Sequence, residues 1–146
     1  MTEINDVDFV ILQPDDPTVV RFRDLFDTRK DEIMGIDLKS PWSEASLLAA
    51  EQAYVQLSES EVNHVKTLYE AFLGEGLVRL HGGNWVKLTA YLEGNDSSHG
   101  YGIHYNLTGH VDVVTSLLPL ARCIATGSHW AATYTSTAQL LEQENR

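Results

Sequence analysis

Residues 58–107 read SESEVNHVKTLYEAFLGEGLVRLHGGNWVKLTAYLEGNDSSHGYGIHYNL, and this stretch decides the fold. It begins with a capping box, because Ser58 can accept a hydrogen bond from the Glu61 amide while the Glu61 side chain bonds the Ser58 amide. Apolar residues then recur every three or four positions from Val62 to Leu80, which is the period of an amphipathic helix. Gly82-Gly83 ends this helix, because glycine readily adopts the left-handed conformation of a C-cap.

Two alternating segments follow the glycine pair. In the first, apolar Val86, Leu88, Ala90 and Leu92 alternate with Trp85, Lys87, Thr89 and Tyr91. In the second, the apolar set is Tyr101, Ile103, Tyr105 and Leu107. A period of two predicts a strand, so we expect an antiparallel pair. The connection from Glu93 to Gly100 is too long and polar for a two-residue turn, and it predicts a protruding loop.

The flanking segments are mainly helical in pattern. A helix is predicted from Thr18 to about Met34, after a turn at Pro14–Pro17, and a second from Ser40 or Ser43 to Leu57. The run Asp8–Leu12 is predicted to be an edge strand or an arm lying across the core. After the hairpin we expect a third strand at Val111–Thr115, a helix at Leu117–Ala125 with Pro119 in its first turn, and a last helix from Thr135 or Ser136.

These elements predict one α+β domain over residues 1–146. Its N-terminal helices would pack on a small antiparallel sheet of about three strands, and its C-terminal helices would follow. One domain is the usual outcome for a chain of 146 residues, which is long enough to bury a substantial core.

The net charge of −11 is unevenly distributed along the chain. Residues 1–75 hold sixteen acids and six bases, whereas residues 76–146 hold five acids and four bases. Phosphate contacts require a basic footprint, so neither a nucleic acid nor an anionic membrane is expected as a partner. A basic protein is the expected partner, because complementary charge steers association. The alternative is that the acidity serves solubility alone.

Cysteine usage and the first residues predict a cytoplasmic protein. The chain has no apolar run long enough to cross a membrane, and Met1–Asp6 lacks the basic and apolar regions of a signal peptide. Cys123 is the single cysteine, which excludes an internal disulfide.

The segment Leu73–Arg79, followed by His81-Gly82-Gly83-Asn84-Trp85-Val86, resembles a pattern in small bacterial domains of unknown function. Those domains have a core made of a helix, a Gly-Gly-x-Trp motif and a strand, and Pro119 followed by Gly127 fits their later helix. Some members are immunity or accessory proteins encoded beside secreted toxins. The resemblance covers about the second half of the chain, and it implies a fold and a class of partner but no active-site residue.

The residues capable of chemistry do not form a recognised signature. His99, His104 and His110 are five and six positions apart on a predicted loop, strand and turn, whereas zinc ligands are commonly spaced more closely. We therefore expect no metal and no cofactor. Cys123 lies in a short apolar helix, where a free cysteine usually fills the core, and the chain contains no G-x-S-x-G nucleophile motif.

Three functional hypotheses follow. The first is a non-enzymatic binding protein, of the kind of an immunity or accessory protein, that neutralises a basic partner. Its expected contact residues are Asp24, Asp27, Asp31, Glu32, Trp85, Tyr91, Asn95 and Asp96. The acids of the first helix also fit an ordinary solvated face, and Trp85 and Tyr91 would be exposed only if helices cover one face of the sheet. The second is a small enzyme with a site at the sheet edge that uses His104, His110 or Cys123. The third is a homodimeric module joined through Trp85 and Tyr91.

Overall fold

Five helices and four strands are present in the described residues, 9–88, 100–124 and 126–144, of the computed structural model. The strands are β1 (Phe9–Ile11), β2 (Asn84–Leu88), β3 (Gly100–His104) and β4 (Val111–Val113). The helices are α1 (Pro17–Arg29), α2 (Glu44–Tyr54), α3 (Glu59–His81), α4 (Val114–Ile124) and α5 (His129–Glu144). A single 3₁₀ turn at Lys30–Glu32 follows α1.

Helix α3 has the boundaries that its sequence predicts. Both hydrogen bonds of the capping box form, at 3.2 Å from the Glu61 amide to Ser58 Oγ and at 2.7 Å from the Ser58 amide to Glu61 Oε1. Gly82 ends the helix with φ 72°, in the left-handed region. The middle of the helix, from Leu68 to Leu77, is mostly buried, so α3 is the helix around which the others pack.

The sheet is antiparallel throughout, with strand order β1-β2-β3-β4. The α+β class is therefore confirmed, with four strands where the sequence predicts about three. The additional strand is β1, which lies in the apolar run Asp8–Leu12. The sequence predicts this run to be either an edge strand or an arm across the core. It lies at the edge because its only partner among the described strands is β2, in a register that places Val10 opposite Lys87.

Helices cover the face of the sheet that carries Trp85. Trp85 pairs with Ile103, which pairs in turn with Asp112, so these three side chains share one face. The Trp85 ring stacks on Phe22 of α1 with centroids 4.3 Å apart, and Trp85 is only 2% exposed. Its neighbour Val86, on the opposite face, is also buried. The prediction of Trp85 as an exposed contact or dimer anchor is thus wrong, because the indole is part of the core.

Two glycines allow α3 to approach its neighbours closely. A Cβ atom built on Gly74 would lie 2.1 Å from Cη2 of Trp85, and one on Gly76 would lie 2.4 Å from Cδ1 of Trp42. Such distances are far below van der Waals contact, so any larger residue would have to displace a packed aromatic ring. Gly76 thus permits the close approach of Trp42, and also of Tyr134 of α5.

The two C-terminal helices begin earlier than predicted. Helix α4 starts at Val114, which places Pro119 in the second turn rather than the first. Helix α5 starts at His129, not at Thr135 or Ser136. The cause in α5 is a distant residue, because the buried carboxylate of Glu51 accepts hydrogen bonds from the amides of His129 and Trp130 at 3.1 and 2.7 Å. The Glu51 carboxylate thus satisfies amide donors that a local Ser or Thr cap would otherwise satisfy.

Candidate functional site

The four acids expected to contact a partner are all exposed on α1 and the following 3₁₀ turn, but two are already paired within the chain. Arg79 Nη2 lies 3.0 Å from Asp27 Oδ1, and Arg29 Nη2 lies 2.7 Å from Glu32 Oε1. Asp24 and Asp31 form no ion pair with any described residue. Of the four predicted acids, these two therefore remain available to an external cation.

Asp27 is held by a pair that extends into the core. Arg79 also bonds the buried Glu75, at 2.9 Å from Nη2 to Oε1, and Glu75 accepts a hydrogen bond of 2.9 Å from the indole nitrogen of Trp85. The guanidinium of Arg79 lies over the ring of Phe26, 5.2 Å from its centroid. Asp27 therefore has a role in folding, because it completes the pairing of Arg79, the cation that neutralises buried Glu75.

The segment from Arg21 to Glu32 carries no net charge. Its four acids are matched by Arg21, Arg23, Arg29 and Lys30. The acidic excess of the N-terminal half therefore lies elsewhere on the surface. It includes exposed Asp15, Asp37, Glu44, Glu59 and Glu61.

The remaining expected contacts are distributed differently. Trp85 is buried, as described above. Tyr91, Asn95 and Asp96 fall in residues 89–99, outside the described residues, as do the rest of the predicted first strand and almost all of the predicted loop from Glu93 to Gly100.

A buried carboxylate that the sequence does not reveal joins the sheet to α5. Asp112 Oδ2 accepts hydrogen bonds from the hydroxyls of Tyr105 and Thr137, at 2.8 and 2.6 Å, and Asp112 Oδ1 lies 2.8 Å from Nε2 of His110. The ring of His110 also stacks on that of Tyr105, with centroids 5.9 Å apart. Strand β4, the turn before it and α5 thus converge on one side chain.

The strand pattern alone places Asp112 on the wrong face. Val111, Val113 and Thr115 alternate with Asp112, which predicts an outward carboxylate. In the structure Asp112 is 8% exposed, while Val111 and Val113 are only partly buried. The available signal was Tyr105, because a tyrosine pointing into the core usually requires a partner for its hydroxyl.

The ionisation of this cluster is set by its hydrogen bonds. Burial opposes the charged form of Asp112, but the bonds from His110, Thr137 and Tyr105 outweigh it and lower the pKa of this carboxyl. The hydrogen bond with Asp112 raises the pKa of the His110 imidazole, against a smaller effect of burial. Burial, followed by the nearby Asp112 charge, raises the pKa of the Tyr105 hydroxyl.

The His110–Asp112 pair borders a shallow cleft of about 530 Å³ that also contains His129, Thr133 and Ser136. An imidazole oriented by a buried carboxylate has the geometry of a general base.

His104 does not join the His110–Asp112 pair, because its register opposite Val111 places it on the other face of the sheet from Asp112. Cys123 is exposed near the end of α4 rather than filling the core as expected. Among the described residues, no hydroxyl or thiol is hydrogen-bonded to His110 in the manner of a nucleophile.

We predict that the stabilising contribution of this pair has a pH optimum. A lowered pKa for Asp112 means that its contribution is present above the unfolded pKa, near 3.8, and is lost as pH falls through the folded value. A raised pKa for His110 means that its contribution is present below the unfolded pKa, near 6.5, and is lost as pH rises through the folded value. The contribution is therefore largest between these two unfolded values.

Urea unfolding of the wild type and of His110→Gln, measured across this range, tests the prediction. We expect the difference in unfolding free energy to be greatest at mildly acidic pH and to shrink above neutrality. His81, whose pKa is lowered by burial, affects both proteins alike and cancels in the difference. A difference that does not change with pH would show that the pair is not coupled to folding.

Within the described residues, no three His, Cys, Asp or Glu side chains are grouped so that they could hold a metal ion. No helix in this part of the chain is both long enough and apolar enough to cross a membrane. Comparison of the chain with protein-family models, with curated proteins and with solved structures gives no match.

Proposed function

We propose that this chain is a non-enzymatic cytosolic binding protein whose partner is a basic protein. The observation that carries the proposal is the position of the acidic side chains. Residues 9–75 contain thirteen carboxylates, of which only Glu51 and Glu75 are buried. Eleven carboxylates at the surface thus face six cations in the same part of the chain, and all six cations are themselves at the surface.

The two buried acids are distinct from this surface excess, because both are satisfied within the fold. Glu51 accepts hydrogen bonds from the first amides of α5, and Glu75 pairs with Arg79 and Trp85. A buried carboxylate is normally satisfied in this way. An excess of exposed carboxylates produces instead a negative potential that attracts cationic proteins and raises their association rate.

The contact surface differs from the one expected from the sequence. Asp24 and Asp31 remain in it, because both are exposed and neither forms an ion pair with a described residue. Asp27 and Glu32 contribute less, since Arg79 and Arg29 already neutralise them. Tyr91, Asn95 and Asp96 stay in the proposal as predicted contacts, and they lie outside the described residues.

The class of the partner comes from the resemblance of the Gly-Gly-x-Trp segment to small bacterial domains. Some of those domains are immunity or accessory proteins of secreted toxins, so we propose a basic toxin as the partner of this chain. Nucleases and membrane-active toxins are commonly cationic because their targets are anionic, and an acidic protein would complement them.

The role of the exposed acids is tested by the rate of association with the purified partner. After affinity capture and purification of the partner, we expect Asp24→Asn and Asp31→Asn each to slow association about twofold to fivefold at low salt, with little change in dissociation. Raising the salt from about 50 to 200 mM should diminish the difference, because the Debye length falls below the separation of surface charges. Surface plasmon resonance measures both rates.

Glu144→Gln is the matched control, because it removes one exposed charge near the end of α5, outside the acidic half. We expect it to leave the association rate nearly unchanged. A complex whose affinity does not respond to salt, or one weakened equally by Glu144→Gln and Asp31→Asn, would contradict the proposal.

A further inference from the structure

A groove of about 510 Å³ runs between α3 and α4. Its α3 wall is formed by positions 59, 62, 63, 66 and 70, and its α4 wall by positions 115, 118, 119 and 122. Each set recurs at three- or four-residue intervals, so each is one face of its helix. Tyr54 at the end of α2 forms part of the floor. The groove thus combines an apolar centre, at Val62 and Leu118, with charged groups along its length.

The two ends of the groove are chemically different. Near the start of α3, Arg122 donates hydrogen bonds to the carbonyls of Leu57 and Tyr54, at 2.9 and 3.3 Å, and these bonds hold its guanidinium in place. Glu70 lies eleven residues after Glu59 along α3, a distance of about 16 Å at the helical rise. The cation of Arg122 is therefore anchored at the end away from Glu70.

Glu70 carries a carboxylate that forms no ion pair with a described residue. Glu70 is partly buried, yet no described residue forms a hydrogen bond or ion pair with its carboxylate. The charge of Lys66, one turn earlier on α3, favours the ionised form of this carboxylate. Burial raises the pKa of Glu70 against that charge. Tyr54 contributes its ring to the floor of the groove, where the guanidinium of Arg122 lies 5.9 Å from the ring centroid. The carboxylate of Glu70 is therefore the acceptor in this groove that an external donor can use.

We infer that the α3–α4 groove receives a lysine or arginine side chain of the basic partner, with Glu70 as its counter-ion. This inference rests on the proposed function and names the position of one contact within it. The aliphatic stem of such a residue would lie against Val62 and Leu118, as long cationic side chains do on apolar surfaces. Its charged end would donate hydrogen bonds to the carboxylate of Glu70.

A cation fits this groove better than an anion. An anionic ligand would be attracted by Lys66 and Arg122, but it would also be repelled by Glu59 and Glu70. In addition, Arg122 already donates hydrogen bonds to two carbonyls. A cation instead supplies the hydrogen bonds that Glu70 lacks.

The test uses a defined probe rather than the whole partner. ¹⁵N-labelled protein is titrated with Nα-acetyl-lysine methylamide and, as the matched probe, with Nα-acetyl-norleucine methylamide, which has the same stem without the ammonium. We expect the lysine probe to shift the amides of α3 and α4 that line the groove, with the norleucine probe binding about tenfold more weakly. Glu70→Gln should weaken the lysine probe about tenfold, to the level of norleucine.

A stability measurement and one control variant keep the outcome interpretable. Glu70→Gln should raise Tm by about 1–3 °C, because it removes a partly buried charge that lacks a partner, so weaker binding cannot be ascribed to misfolding. Glu144→Gln removes an exposed charge outside the groove and should leave probe binding unchanged. Lysine-probe shifts that map elsewhere, equal binding of the two probes, or wild-type affinity in Glu70→Gln would each overturn the inference.

These outcomes are distinguishable from failure of the proposed function. If the partner binds with the expected salt dependence but Glu70→Gln has no effect on the lysine probe, the acidic surface stands and the groove has no such role. If the groove binds lysine while association with the partner does not respond to salt, the groove stands as a cation site and the charge-steered complex fails.

Discussion

Asp112→Ala is expected to lower the free energy of unfolding by about 3–5 kcal/mol, the loss typical of removing one member of a buried charged network. The substitution removes the acceptor of three hydrogen bonds, from Tyr105, Thr137 and His110. The two hydroxyls, which are buried, would then lack partners, and each carries a desolvation cost of about 1–3 kcal/mol. A cavity remains where β4 meets α5. Urea unfolding at neutral pH measures the loss.

Asp112→Asn is the matched comparison, because the amide has nearly the same shape. Its oxygen can accept from both hydroxyls, and its nitrogen can donate to Nε2 of a neutral His110 after a change of tautomer. We therefore expect a cost of only about 1–2 kcal/mol at neutral pH. The cost should grow at pH 5.5, where a protonated imidazole would face an amide donor. A loss as large as that of alanine, independent of pH, would refute this account of the network.

Gly74→Ala is expected to destabilise the protein by about 3 kcal/mol, at the upper end for overpacking a core. In an unconstrained helix interior the same change stabilises by about 1 kcal/mol, so the sign of the effect is itself diagnostic. The added Cβ would lie 2.1 Å from Cη2 of Trp85. The indole cannot easily move, because it stacks on Phe22 and donates a hydrogen bond to Glu75.

A double-mutant cycle isolates this contact. Trp85→Phe removes the part of the ring that the new methyl group would strike, at the expense of the bond to Glu75. In that background, we expect Gly74→Ala to cost less than about 1 kcal/mol, which gives a coupling energy of about 2 kcal/mol. If Gly74→Ala destabilises both backgrounds equally, the close approach of Trp85 is not the reason that position 74 requires a glycine.

Local signals determined most of the helical framework. The capping box at Ser58 and the glycine at position 82 fix both ends of α3, because each depends on residues within one turn of the helix. Asp16 likewise caps α1 through a bond of 2.8 Å to the Thr18 amide. The antiparallel pairing of β2 with β3 also follows from alternation. These features could be predicted since the interactions that produce them are short in sequence.

The polar interior was decided by contacts that are distant in sequence. Glu51 caps a helix that begins 78 residues later, Arg79 pairs with Asp27 across 52 residues, and Asp112 faces a threonine 25 residues away. Nothing near these residues distinguishes a buried acid from an exposed one. Period-two alternation even places Asp112 on the wrong face, because it records which side chains are apolar and not which polar ones have found partners.

The sequence by itself thus established an acidic α+β domain with a long central helix, because composition and local periodicity are sufficient for both. Only the tertiary structure decided which carboxylates belong to the core, which are already neutralised by a cation of the same chain, and which stay exposed. The physical reason is that a carboxylate can be buried only beside donors, and in this protein those donors come from helices and strands that folding brings together.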